Sequence, residues 1–143
     1  MDERSLLRPW WTVHRALFRL SGGRIGTIAP GKRRLGVLFL ETTGHRTGRR
    51  RTNALYYIDA GADLAVVASN AGNDRDPGWL ANLRAHPEAT VWLGREQVRV
   101  RARRATPEEE AALWPRLDAG YSRFAVYRRR AARPIPIVIL VRS

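Results

Sequence analysis

The chain has 143 residues, of which 44% are hydrophobic, so it suits one domain with an apolar core and is too apolar for a disordered protein. It contains no cysteine, which excludes disulfides, thiolate metal sites and cysteine nucleophiles, and its three histidines lack the spacing of zinc ligands. The formal net charge of +13 indicates an anionic partner (a nucleic acid, an anionic membrane face or a polyanionic small molecule), although a GC-rich genome would also raise the arginine count.

The first predicted element is an N-terminal helix over residues 9–20, within the segment 1–22. Hydrophobic residues recur there at helical spacing, and Gly22-Gly23 ends the pattern. Its tryptophans and arginines leave two placements open: packed on the domain, or lying peripherally on an anionic membrane face. No stretch reaches the roughly 20 apolar residues of a spanning helix. No signal peptide is evident either, so we expect a cytoplasmic protein whose N-terminal helix is a candidate for contact with the inner face of the membrane.

Short apolar runs separated by turn residues predict β-strands through the middle of the chain. A buried strand is expected at 36–43. Two hairpins with glycine in their turns are expected at 52–59 with 63–69, turning at Ala60-Gly61-Ala62, and at 89–94 with 97–103, turning at Gly94-Arg95-Glu96. In the last of these strands valine and alanine alternate with arginine, which predicts one buried face and one solvated face.

Helices are predicted between and after these hairpins. A polar loop at 71–78 precedes a short helix at 79–86. Thr106-Pro107-Glu108-Glu109 predicts a helix start, because threonine can cap, proline suits the first turn and the second glutamate completes a capping box. Since proline lacks an N–H, we expect this helix to bend or break at Trp114-Pro115. A second helical stretch is expected to follow through Tyr127.

The last predicted strand is the apolar run 135–141. Six strands joined largely by hairpins, with few helices between them, favour a mainly β (α+β) fold, a six-stranded antiparallel barrel with peripheral helices. The glycine fingerprint of a Rossmann fold is absent. No repeat or linker divides the sequence, so we expect a single domain over residues 1–143.

The segment Thr42–Arg51 has the composition of an anion-binding loop. It follows the predicted buried strand, and two glycines bracket its turn. Glycine lets a backbone approach a ligand closely, and arginine can donate paired hydrogen bonds to phosphate oxygens. The lysine and glycine spacing of a Walker loop are missing. The residues themselves leave two interpretations open, a binding loop and a solvated basic hairpin loop.

Two further segments suit a ligand site. Val66–Gly72 places small residues and a serine hydroxyl after an apolar strand, where they leave room for a flat ring. In Pro77–Leu83, Gly78 precedes a short helix whose free N–H groups could face an anion, and Trp79 and Asn82 lie on one face of that helix. A strand leaving the core and a core tryptophan would give the same patterns without a ligand.

Together these segments resemble the deazaflavin-dependent nitroreductase family. The matching motifs, in order, are Leu40–Arg51, Asn53–Tyr56, Val66–Ser69 and Pro77–Pro87, with further likeness at Leu20–Gly26 and Ile135–Val138. The resemblance covers nearly the whole chain and implies a split β-barrel similar to flavin-reductase and FMN-binding barrels. It also implies reduced coenzyme F420, a 5-deazaflavin that bears a phosphate and an oligoglutamate tail. The hydride acceptor would be a quinone, a nitro compound or an enone.

The resemblance also implies the site residues. Those matched to cofactor contacts are His45, Arg46, Thr47 and Arg51 near the phosphate; Thr52, Asn53, Ala54, Leu55 and Tyr56 along the ring or its side chain; Val67, Ala68, Ser69 and Asn70 beside the deazaflavin; and Gly78, Trp79, Leu80, Ala81 and Asn82 on its other side. Those matched to the substrate pocket are Tyr121, Phe124 and Tyr127, which could share one helix face. The candidate catalytic residues are Ser69, Tyr56 and Tyr127, and no metal is expected.

The sequence departs from the family pattern at several of these positions. Asn70 stands where some members have lysine, and Ala54 stands where proline is common. Leu80 stands where tyrosine often appears, and Phe124 replaces a tyrosine that could donate a hydrogen bond. These departures leave cofactor binding expected and argue against nitroimidazole activation.

Other functions stay open on the residues alone. A split barrel that binds FMN or haem would share the fold. A non-enzymatic nucleic-acid-binding domain would use the runs Arg49–Arg51 and Arg128–Arg130. No recognised nucleic-acid motif is present, so we expect no specific nucleic acid. Both a monomer and a homodimer are compatible with the sequence.

Overall fold

The computed structural model describes residues 27–31 and 34–143. The predicted N-terminal helix, and with it the question of membrane contact, lies outside these residues. None of the helices within them is long and apolar enough to span a lipid bilayer. The elements in chain order are β1 (Gly36–Thr43), β2 (Arg50–Ala60), β3 (Asp63–Val67), a 3-10 turn (Asn70–Gly72), α1 (Gly78–Ala85), β4 (Glu88–Leu93), β5 (Glu96–Arg104), α2 (Pro107–Gly120), α3 (Arg123–Arg130) and β6 (Ile137–Arg142).

The six strands close into an antiparallel barrel in the order β1-β2-β3-β6-β5-β4. Strands that follow one another directly pair as hairpins, and β6 returns to lie between β3 and β5. Pairing of β1 with β4 completes the ring. The prediction of a six-stranded antiparallel barrel is therefore confirmed, and the bounds of β1 match the predicted 36–43.

Two large apolar cores, with a small third cluster of Val37, Phe39 and Ala54, hold the described part of the chain together. The interior of the barrel is filled by side chains such as Leu38, Val66 and Leu140, which are fully buried. The second core lies outside the barrel wall, where Leu117 of α2 packs with Ile139 of β6. Strands that serve both cores are apolar on both faces, whereas β5 alternates between valine and exposed arginine as predicted.

Helix α2 begins with the predicted capping box. The Thr106 hydroxyl accepts the Glu109 N–H at 3.2 Å, and the Glu109 carboxylate accepts the Thr106 N–H at 2.9 Å. The same carboxylate accepts two hydrogen bonds from Arg103 of β5, at 2.7 and 2.8 Å. The hydrogen bonds from Arg103, followed by the one from the Thr106 N–H, lower the pKa of the Glu109 carboxyl to about 2. The cap therefore also ties α2 to the barrel wall.

Of the predicted bend or break at Trp114-Pro115, the break is wrong, because α2 continues through Pro115 to Gly120. Proline removes one helical hydrogen bond, but Leu113 and Leu117 on either side are buried in the outer core and hold the helix against the barrel. The helix ends instead at Gly120, where a Cβ would lie 2.6 Å from Cδ2 of Leu35. Packing against the barrel, which local propensity does not register, decides where α2 ends.

Replacing Pro115 by alanine is expected to raise the free energy of unfolding by about 1–3 kcal/mol, because the helix interior regains an N–H donor and a better helix former. Pro115 is exposed, so the change opens no cavity. Urea denaturation measures the effect. Pro107→Ala is the matched control. An N–H at the first helical position has no acceptor within the helix, so proline there costs no hydrogen bond and little change in stability is expected. Equal stabilities of the Pro115 variant and the parent would contradict this account.

Candidate functional site

Strand β2 is hydrogen-bonded to a neighbouring strand along most of one edge, but along only a short part of its other edge. It pairs with β1 from residue 50 to 57, but with β3 only from residue 57 to 60. The first half of β2 therefore borders a cleft on the side where β3 would otherwise continue. Alternate backbone N–H and C=O groups of a strand point to each side, so residues 52–56 present backbone polar groups to this cleft.

The cleft has two connected recesses. The aromatic recess has a volume of about 420 Å³, and the cationic recess has a volume of about 350 Å³. Asn53, Gly78 and Trp79 line both, so they form the junction. Each volume lies in the range of roughly 300–1,000 Å³ that is typical of small-molecule sites.

Most of the predicted site residues line this cleft. Around the aromatic recess they are Asn53, Ala54, Leu55, Tyr56, Val67, Ser69, Asn70, Gly78, Trp79, Tyr121, Phe124 and Tyr127. Around the cationic recess they are His45, Arg46, Thr47, Arg51, Thr52, Asn53, Gly78, Trp79 and Asn82. The three candidate catalytic residues thus share the aromatic recess.

Three predicted residues line neither recess. Ala68 is fully buried in the barrel core, and its N–H donates to the carbonyl oxygen of Pro136 at 3.1 Å. Leu80 is buried in the same core, on the face of α1 that packs against the barrel. Ala81 lies between two residues of that buried face, Leu80 and Asn82, and is absent from the lining. Conversely, Asp76 lines the aromatic recess although no segment singled out in the sequence as a ligand site contains it, and Ala71 lines it as a member of the segment Val66–Gly72 that no individual role had been given.

The hairpin loop between β1 and β2 forms the wall of the cationic recess. Gly44 and Arg49 close it through an N–H to carbonyl bond of 2.7 Å, and Gly48 has a φ of 71° that favours glycine. A Cβ on Gly44 would lie 2.9 Å from the Arg49 carbonyl oxygen. The two glycines therefore allow the tight fold of the loop itself, which in turn places Arg46 and Thr47 at the recess.

The charge of this recess is positive. Arg46 and Arg51 line it, and no carboxylate among the described residues pairs with either. The nearby carboxylate of Glu41 instead contacts Arg50 at 3.3 Å. A concave site that holds two cations attracts an anionic ligand group.

A buried amide fixes the geometry of the recess. The Asn82 side chain is on α1, and its Nδ2 donates to Oγ1 of Thr42 at 3.0 Å. Its Oδ1 accepts the backbone N–H of His45 at 3.0 Å and lies 2.7 Å from Nδ1 of the same histidine. Asn82 and Thr42 are both buried. One side chain therefore joins the end of β1, the hairpin loop and α1.

The aromatic recess is lined by packed tyrosines. The rings of Tyr56 and Tyr121 lie 5.0 Å apart, and the hydroxyl oxygens of Tyr121 and Tyr127 lie 3.1 Å apart. Phe124 meets Tyr121 edge-on at 4.9 Å. Tyr121, Phe124 and Tyr127 were expected on one helix face. Only Phe124 and Tyr127 belong to α3, because Tyr121 lies between α2 and α3. Phe124 and Tyr127 are also buried members of the outer core, so these residues serve packing as well as the recess.

Burial keeps the hydroxyls of Tyr56 and Tyr121 protonated. It is the largest cause that raises the pKa of Tyr121, followed by the hydrogen bond with Tyr127. Burial also raises the pKa of Tyr56. Since both pKa values lie above the ordinary 10, the hydroxyls stay neutral through the physiological range and can donate hydrogen bonds.

A left-handed turn separates β3 from α1. Asn70, Ala71 and Gly72 have φ values of 46°, 55° and 75°. Asparagine and glycine tolerate this conformation, whereas alanine is strained there by about 1–2 kcal/mol. A Cβ on Gly72 would lie 3.0 Å from Cα of Tyr127, so the turn packs directly under α3. Strained backbone of this kind persists where surrounding contacts hold it.

Arg133 supplies those contacts. Its guanidinium donates to the carbonyl oxygens of Ser69 at 3.0 Å and Asn73 at 3.1 Å, and it contacts the Asp76 carboxylate at 3.1 Å. The side chain is only 12% exposed. Asp76 also accepts from Arg84 at 2.8 Å, so its negative charge is balanced on both sides. Sequence reasoning missed Arg133, because nothing in its local pattern marks it.

Comparisons with known proteins show which family this chain resembles. A family model described as F420H(2)-dependent quinone reductase matches residues 10–142. An F420H(2)-dependent quinone reductase of Mycobacterium tuberculosis (strain ATCC 25618 / H37Rv) is 37% identical over 133 residues, which cover 91% of this chain and 88% of that protein. A solved F420-H2-dependent reductase is 28% identical with a TM-score of 0.66, and the match covers 73% of this chain and 92% of that one.

A more distant structure shares the fold alone. The haem storage protein of Vibrio cholerae is 12% identical with a TM-score of 0.52, over 75% of this chain and 81% of that one. At this identity the likeness carries no information about the ligand of this chain.

Arg133→Met is expected to lower the free energy of unfolding by about 3 kcal/mol, because it leaves the carbonyl oxygens of Ser69 and Asn73 without this donor and removes one of the two cations that contact Asp76. Chemical denaturation measures the loss. Arg129→Met is the control, since Arg129 is exposed on α3 and its removal should change stability by less than about 0.5 kcal/mol. Similar losses in the two variants would argue against a specific role for Arg133.

Proposed function

This chain belongs to the family of F420H2-dependent quinone reductases, and from that premise we propose that it passes a hydride from reduced coenzyme F420 to a quinone held in the aromatic recess. The resemblance to a deazaflavin-dependent oxidoreductase family is thereby confirmed. The name of the matching family points to quinones, whereas the sequence likeness alone left nitro compounds and enones equally open. The single observation that carries the proposal is the junction of a cationic recess with an aromatic one.

The cleft fits the two chemically different parts of the cofactor. A flat ring suits the aromatic recess, where the edge of β2 offers backbone polar groups and Val67 and Ala71 are small enough to leave room. A phosphate suits the cationic recess, where Arg46 and Arg51 line the wall. At the junction, a Cβ added to Gly78 would meet no atom within 4 Å, so this glycine leaves the passage open.

The protein contributes binding, orientation and exclusion of water. When bound, reduced F420 supplies the hydride, and a carbon in place of the flavin N5 favours two-electron transfer. The β2 edge and the left-handed turn would hold the ring from two sides, with the Ser69 hydroxyl available as a hydrogen-bond partner. Fixed orientation of donor and acceptor accounts for much of the rate enhancement in reactions of this type.

The tyrosines of the aromatic recess would act on the acceptor. A quinone oxygen gains negative charge as the hydride arrives, and a protonated hydroxyl stabilises that charge. The raised pKa of Tyr121 keeps its hydroxyl protonated, and the hydroxyl oxygens of Tyr121 and Tyr127 lie 3.1 Å apart. An oxygen at the recess could therefore receive a hydrogen bond from this pair. Nitro compounds and enones would be held by the same donors, so they belong in the same assay.

The arginine runs support the nucleic-acid alternative poorly. Arg50 of the first run contacts Glu41, and Arg128 of the second run donates two hydrogen bonds to Asp118. Arg101 and Arg103 of β5 are likewise paired with glutamates. The charges of these four arginines are thus balanced locally, within the described part of the chain.

Arg51→Ala is expected to weaken binding of F420 about tenfold, because a charged hydrogen bond to the phosphate is lost. Arg49→Ala removes the same charge from the same hairpin, but Arg49 does not line the recess, so its effect should be small. Fluorescence titration with F420 measures both. The proposed phosphate role fails if the two variants bind alike, and the proposed cofactor fails if the parent binds FMN and not F420.

Tyr121→Phe is expected to lower kcat for quinone reduction by roughly tenfold to a hundredfold while leaving the affinity for F420 unchanged, because only the developing negative charge loses a donor. The recovery of oxidised-cofactor absorbance measures the rate. Tyr57→Phe is the control, since Tyr57 is buried in the barrel core and does not line the cleft. An unchanged kcat for the Tyr121 variant would remove this tyrosine from the reaction.

A further inference from the structure

The buried amide of Asn82 determines where the hydrogen atoms of His45 lie. The backbone N–H of His45 can only donate, so the Asn82 atom 3.0 Å away must be the amide oxygen. That oxygen also lies 2.7 Å from Nδ1 of the His45 ring. Since an amide oxygen only accepts, Nδ1 must carry a hydrogen. The contact thus selects one tautomer of the histidine.

The other ring nitrogen is the variable one. A neutral imidazole has a single N–H, and when Nδ1 holds it, Nε2 carries a lone pair. His45 lines the cationic recess, so its ring is part of the wall of the site that would receive an anion. Only protonation of the ring converts Nε2 into a donor.

The charges that surround His45 in this recess are all positive. Its own hairpin loop and the start of β2 contribute Arg46 and Arg51. The lining groups from the rest of β2 and from α1, within the described part of the chain, are uncharged: Thr52, Asn53, Gly78, Trp79 and Asn82. The two arginines attract an anion, and no carboxylate there competes for the histidine.

An anionic oxygen beside the Nε2 lone pair is repelled, whereas beside an Nε2–H it is bound by a charged hydrogen bond. We propose that His45 takes up a proton when the phosphate-bearing cofactor binds, and that Asn82 is a positioning residue which holds the ring so that Nε2 receives it. The proposal rests on F420 being the ligand of this cleft. Proton and anion binding are then linked, and each strengthens the other.

Linkage of this kind has a measurable consequence. Up to about one proton is taken up per cofactor bound, and affinity rises as the pH is lowered, by at most about tenfold per pH unit. The parent and its variants are compared between about pH 5 and 8. Ionisation of the cofactor itself is the same for every variant and cancels in a comparison.

The test is calorimetric titration of F420 into the full-length protein at several pH values, in buffers of different ionisation enthalpy. The parent should take up more protons than His45→Gln, whose amide can donate but does not titrate in this range. His86→Gln is the matched control, because His86 is exposed at the end of α1 and lies outside both recesses. It should behave like the parent. Equal proton uptake by the parent and His45→Gln overturns the proposal.

Nitrogen-15 NMR of the imidazoles tests the positioning role without any cofactor. The neutral His45 ring should carry its hydrogen on Nδ1 in the parent, and Asn82→Ala should shift it to Nε2, the form that free histidine prefers. The same Nε2–H form in both proteins would overturn the role of Asn82. If the parent fails to bind F420 at all, the proposed function is wrong, and with it the proton linkage. If it binds with uptake equal to the His45 variant, only the linkage is wrong.

Discussion

The difference in length between two neighbouring strands shapes this molecule. Strand β2 has 11 residues and β3 has 5, yet both belong to one closed barrel. The ring closes at the far end of β2, where β2 pairs with β3, whereas the near end of β2 pairs with β1 and not with β3. A strand edge inside a protein must find hydrogen-bond partners. The cleft is therefore a consequence of how the barrel closes, and the loop after β3 must fold back to form its opposite wall.

Two polar side chains, the buried Asn82 and the largely buried Arg133, hold the walls of that cleft in place. Asn82 joins three segments on the cationic side, and Arg133 joins three points of the loop on the aromatic side. Each of the two is engaged by at least two bonds, which is the condition under which a buried polar group favours a fold. The strained backbone at Ala71 fits this arrangement, because a rigid frame can hold a conformation that the residue alone would not adopt.

The sequence predicted the fold better than it predicted the details of the site. The bounds of β1, the hairpin turns and the capping box at Thr106 are set by local patterns, and they appear in the structure as expected. The course of α2 through Pro115 is set by packing against the barrel, which no local pattern encodes. Arg133 reaches the carbonyl of Ser69 across 64 positions of sequence. The motif likeness gathered the cleft residues but also included Ala68 and Leu80, since a family motif records neighbours in sequence and not the direction of each side chain.

The place of β6 in the barrel has a consequence for how the protein is made. This strand bridges β3 and β5, so the wall of the barrel is incomplete until residues 137–142 have been synthesised. Until then β3 and β5 expose edges and apolar faces that invite wrong pairing, the hazard of folds that depend on distant contacts. The cleft, whose aromatic side is packed against α3 and latched by Arg133, can form only in the same late step. A chain truncated before β6 would have neither a closed barrel nor a complete cleft.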